Sequence, residues 1–78
     1  MSETTELLAR LVEIDSINPE IVPGGAGEAE IAAFAAGWMG ERGLDARVEE
    51  VAPGRANAIA TARGSGGGRS LLLCAHMD

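Results

Sequence analysis

The run "SLLLCA", residues 70–75, is apolar at nearly every position. A strand with one wet face alternates apolar and polar residues, so an unbroken run reads as a strand covered on both faces. Such a strand requires neighbours in a sheet and a layer above and below it. A chain of 78 residues forms at most one small domain, and one this size buries only about 60% of the surface its unfolded chain exposes. The hydrophobic fraction of 46% places it among globular rather than disordered sequences. With one Phe, one Trp and no Tyr, the core must be built from Ala, Val, Ile and Leu. A central strand at the very end of a chain is a poor finish for a domain. The expectation is therefore that residues 1–78 are the amino-terminal part of a single larger domain, truncated after His76-Met77-Asp78.

The segments before this strand predict its cover. In "TELLARLVEID", residues 5–15, Leu7, Leu8, Leu11, Val12 and Ile14 share one helical face, opposite Glu6, Arg10 and Glu13. Ser2, Thr4 or Thr5 is available to cap the start, and Pro19 turns Asn18 away from the helical region. "EIVPGGAG" is a loop. A second helix is predicted over residues 28–43, where Ile31, Phe34, Ala35 and Trp38 follow helical spacing. Gly43 supplies a left-handed stop, while Gly37 and Gly40 suggest close packing against a sheet. "LDARVEEV", residues 44–51, alternates as a half-exposed strand, Pro53-Gly54 is a turn, and "NAIATAR", residues 57–63, closes an antiparallel hairpin. The glycine stretch 64–68 lacks the Lys-Ser/Thr ending of a phosphate-binding loop and has no helix after it, so it reads as a connection. The fold class is α/β: two helices, a β-hairpin and a buried strand.

Charge excludes several functions. Twelve acidic against six basic residues give a net charge of −6, which argues against nucleic acid and against anionic membrane surfaces. Glu3 and Glu6 stand where a signal peptide carries positive charge. "IAAFAAGWM" is too short to span a bilayer. A single cysteine forms no internal disulfide. These features predict a cytoplasmic location.

Chemistry concentrates at the last strand. Ligands of α/β sheets gather at the carboxyl ends of strands, and His76 lies just past one. Its imidazole can offer a metal one neutral nitrogen if an acceptor takes the other N–H, and Asp78 is two residues away. H-x-D spacing also fits a capped strand end with a solvated His and a turn Asp. Cys74 shares the strand parity of His76, so Cys-x-His could ligate zinc; a Cys inside an apolar run is more often a small buried hydrophobe, and burial is the expectation.

The order of helix, "SINP", Gly-rich loop with an acidic helix start, "RGLDARVEEV", "GRANAIA", Gly-rich turn and "LLLCAHMD" resembles the amino-terminal part of the M20 metallopeptidases. That group includes acetylornithine and succinyl-diaminopimelate deacylases, glutamate carboxypeptidases, aminoacylases and dipeptidases, with the first two the nearest in general look. The resemblance implies a partial α/β/α zinc-exopeptidase catalytic domain, two zinc ions per complete domain (cobalt being an alternative), and hydrolysis of an N-acyl amino acid or small peptide amide bond. It makes His76 a metal ligand and Asp78 the active-site carboxylate that orients it. Ser16-Ile17-Asn18-Pro19 would lie near the rim of the site, although ordinary helix-stop chemistry explains those residues equally well. Gly54-Arg55-x-Asn57 matches the hairpin signature and reads as structural. The general-base Glu, the bridging Asp, the other carboxylate ligands and the distal His have no counterpart in these 78 residues, which alone should be inactive. A homodimer is an expectation for the complete protein.

Two alternatives stand beside this one. The chain could be a non-catalytic small α/β interaction module or a metal-free degenerate relative, or it could belong to another di-zinc exopeptidase family with a similar core.

Overall fold

The computed structural model describes residues 2–78. Helix α1 spans Glu3–Glu13. Among the available caps the helix uses Ser2, whose Oγ accepts the Thr5 N–H at 3.1 Å, and Glu3 and Glu6 occupy the first turn, where the helix dipole favours negative charge. No α1 residue is fully buried, and Leu8 and Val12 of its apolar face remain exposed.

Helix α2, Ala29–Glu41, follows the 15-residue loop 14–28. Ile31 and Ala32 are its buried positions, with Phe34, Ala35 and Trp38 partly covered. Gly43, at φ +86°, lets the chain leave the helix in the left-handed conformation, and Leu44 N–H closes back on the Met39 carbonyl at 3.2 Å. The expectation that Gly37 and Gly40 pack closely against a sheet is not met: a Cβ at either would meet nothing within 4 Å.

Strands β1, Asp45–Ala52, and β2, Arg55–Thr61, form an antiparallel hairpin. Asp45 pairs with Thr61, Arg47 with Ile59 and Glu49 with Asn57, and the register slips at a bulge between Glu50 and Ala52. β2 thus begins two residues before its expected start, because the Pro53-Gly54 turn is tight enough to bring Arg55 straight into pairing with Ala52. α2 packs across both strands, and the small core of Ile31, Ala32 and Ala56 lies there. α1 is tied on at its ends. Arg42 donates to Glu3 through Nη2 at 2.7 Å and sits 3.6 Å from the centre of the Trp38 ring, while Arg10 lies 5.0 Å from the centre of the Phe34 ring. No helix among the described residues is long and apolar enough to cross a membrane.

The start of α2 is locked to the hairpin turn. Glu28 N–H donates to the Gly54 carbonyl at 3.0 Å. Gly27, at φ +80°, allows this approach, since a Cβ there would collide with that same carbonyl. Glu28 does not cap α2 with its side chain; its carboxylate turns to Arg55, accepting from Nε at 2.7 Å.

The α/β assignment with two helices and a hairpin holds. The buried strand does not: residues 62–78 carry no helix or strand, and Leu71, Leu72 and Leu73 are 84–86% exposed. Cys74, expected to be buried, is exposed as well. The physical reason is a lack of partners. Residues 72–75 flank Asn57–Ala60 across a cleft without joining the β1–β2 ladder, and α2 covers only the hairpin. The radius of gyration, 14.1 Å, exceeds the roughly 11.5 Å of a compact chain this long. The apolar run has the composition of a central strand, and residues 2–78 supply no layer to cover it.

Candidate functional site

Two parts of the chain far apart in sequence meet at Asp78. The first is the loop after α1. Asn18 organises its turn: its carbonyl accepts the N–H groups of Ile21 at 3.1 Å and Val22 at 2.9 Å, and its side-chain Oδ1 accepts the Glu20 N–H at 2.9 Å. Side-chain capping of this kind is how Asn holds a turn against the alternatives. The second part is the chain after Cys74, which crosses this loop. Ser16 Oγ donates to the Met77 carbonyl at 3.2 Å, and Asn18 Nδ2 donates to Asp78 Oδ2 at 2.8 Å.

Asp78 then faces His76 with its other oxygen, Oδ1 lying 3.4 Å from Nδ1. The aspartate side chain is 23% exposed and the imidazole 96%. The carboxylate is held below its ordinary pKa, chiefly by the Asn18 hydrogen bond, with help from its own backbone N–H and from His76; partial burial works in the opposite direction. The result is an ionised acceptor behind Nδ1, with Nε2 presented to solvent. That arrangement suits an imidazole that must coordinate or accept through Nε2.

Around this pair lies an open cleft of about 410 Å³, lined also by Glu20, Glu28, Arg55 and Cys74. Arg55 bridges the two glutamates, Nε to Glu28 at 2.7 Å and Nη1 to Glu20 at 3.4 Å. Those contacts, the Glu28 hydrogen bond first, raise its pKa further and keep it cationic. Glu28 is buried, and its Oε1 has no hydrogen-bond partner among the described residues.

The fit to a metal is partial. Among the described residues no three His, Cys, Asp or Glu side chains converge on one point, whereas a catalytic zinc ordinarily takes three protein ligands. His76 backed by Asp78 suits one coordination position. Cys74 is near in sequence but does not join a ligand set.

Sequence reasoning placed Ser16 to Pro19 near the site only through the resemblance. The direct bonds from Ser16 and Asn18 to residues 77 and 78 were not foreseen, because turn residues of this type need no distant partner. The Glu28–Arg55 pair was missed as well; a charged residue at a helix start reads as a dipole contact, and nothing local points it at a strand 27 residues on. No protein-family model, no curated protein and no solved structure matches the chain.

Proposed function

We propose that residues 1–78 are the amino-terminal part of the catalytic domain of a zinc-dependent amidohydrolase resembling the M20 metallopeptidases, acting on an N-acyl amino acid or a small peptide. The observation that carries this reading is the pairing of His76 Nδ1 with an ionised Asp78, which leaves Nε2 outward. In this reading His76 supplies one metal ligand. Asp78 fixes the tautomer and ring orientation. A bound metal of this kind supplies Lewis-acid polarisation of a carbonyl and a nucleophile near neutral pH. The remaining ligands and the general base belong to sequence outside residues 1–78.

The test uses the complete product of the reading frame that carries these residues, with zinc content and amide hydrolysis measured on variants confirmed as folded. His76→Ala should lose a metal and nearly all activity. Asp78→Asn should keep the fold and much of the zinc, with a loss on the order of 10–100-fold in metal affinity or activity. Two zinc ions and full activity in His76→Ala would reject the site.

A metal-free interaction module is the second reading, favoured by the exposed apolar residues Leu71–Leu73. Wild-type protein that takes up no zinc and hydrolyses no N-acyl amino acid would select it.

A further inference from the structure

We infer that Asn18 is a positioning residue for the His76 imidazole, acting through Asp78. The inference rests on reading Asp78 as the orienting partner of His76. It adds a residue of the α1–α2 loop that holds the carboxylate in place.

The argument begins with the Asn18 amide, whose two ends are assigned by different partners. Oδ1 accepts the Glu20 N–H at 2.9 Å, so the opposite end must be the NH₂ group, and it faces Asp78 Oδ2 at 2.8 Å. With Oδ2 engaged, the carboxylate cannot rotate without breaking that bond, and Oδ1 is left toward His76 Nδ1 at 3.4 Å. The chain of contacts runs from the Glu20 backbone through the Asn18 amide and the Asp78 carboxylate to the imidazole. Its near end is anchored by three backbone groups, since the Ile21 and Val22 N–H groups close on the Asn18 carbonyl. Its far end is a side chain 96% exposed. Such an imidazole has no packing to orient it, so its ring direction depends on the one polar neighbour that is itself held. Ser16, which bonds the Met77 carbonyl at 3.2 Å, fixes the backbone between His76 and Asp78 and leaves the carboxylate torsion to Asn18.

Imidazole nitrogen NMR reads the tautomer of His76 directly, its resonances being identified by their loss in His76→Ala. The experiment measures the ratio of the Nδ1–H to the Nε2–H tautomer in the metal-free, folded product of the complete reading frame that carries these residues, at a pH where the ring is neutral. Asp78 behind Nδ1 favours the Nδ1–H form. Asn18→Asp keeps an oxygen for the Glu20 N–H and removes the donor to Asp78. Asn18→Ser does the same without added charge, its hydroxyl being able to hold the turn but too short to reach the carboxylate. In both, the ratio should fall about two- to tenfold, the range that loss of one hydrogen bond produces, while the Glu20 amide resonance stays in place. Asp78→Asn is measured alongside. If Asp78→Asn shifts the ratio and neither Asn18 variant does, Asn18 is not a positioning residue although the Asp78 reading stands. If none of the three shifts it, both fail. A fall in the Asn18 variants accompanied by displacement of the Glu20 amide would assign Asn18 a turn-forming role alone and overturn the inference.

Discussion

Each carboxylate oxygen of Asp78 has its own neighbour, Asn18 on one side and His76 on the other. This division makes the residue sensitive to acid in a defined direction. Its pKa in the folded chain lies below the ordinary aspartate value, so its contribution is fully present above the unfolded-state pKa and is lost as pH falls through the lower, folded-state one. We expect the Asn18 side-chain amide resonances, followed by NMR from neutral pH downward, to move with a midpoint below the ordinary aspartate value. A midpoint at or above that value would contradict the assigned bonds. Cys74, by contrast, stands exposed in the lining of the cleft, where no packing covers it.

At the scale of the elements, two glycines, one before α2 and one inside it, have opposite roles. Gly27 sits at positive φ against the Gly54 carbonyl. Gly27→Ala should therefore destabilise by at least the roughly 1–3 kcal/mol of a strained left-handed residue, and it should release Glu28 from the hairpin turn. Gly37 lies inside α2 with open space where its Cβ would be, so Gly37→Ala should stabilise the helix by about 1 kcal/mol. Denaturant melts of the two variants against the parent chain check both signs. The helices and the hairpin were readable because their signals are local: helical spacing of Ile31, Phe34 and Trp38, alternation of Leu44, Ala46 and Val48, and Pro53-Gly54 between the strands. The interlock at Gly27 and Gly54 was not, since a glycine before a helix looks the same whether or not another backbone approaches it. The run at residues 70–75 misled for the converse reason. Its composition specifies a fully covered strand, and composition says nothing about where the cover comes from. At the site, the H-x-D pair and its neighbourhood with Ser16–Pro19 were legible through a motif, while the Asn18 bond depends on tertiary placement.

For the whole molecule, the exposed leucines set the behaviour in solution. Leu71, Leu72 and Leu73 stand 84–86% exposed; Leu72 and Leu73 share a cleft with β2, and among the described residues no third strand pairs with the hairpin. An unprotected strand edge next to a contiguous apolar run is a template for association. The isolated 78-residue chain should be of low stability and should self-associate with rising concentration, and Leu72→Lys should suppress the association. Sedimentation velocity with a denaturant melt decides this; a cooperative transition from a soluble monomer at all concentrations would refute it.

The links from Ser16 to Met77 and from Asn18 to Asp78 join residues 61 and 60 positions apart. With α2 and the hairpin in place, the stretch still to be closed is residues 62–76, none of them in helix or strand, and closing a loop of that length carries an entropic cost on the order of 2–3 kcal/mol. Two side-chain bonds at a partly wet surface are set against it, whereas the β1–β2 ladder repeats its bonds along the length of both strands. The hierarchy of opening follows. The His76–Asp78 arrangement assembles last and comes apart first, in fluctuations that leave the hairpin and α2 intact, so the time His76 spends aligned is governed by loop entropy rather than by the stability of the fold beneath it.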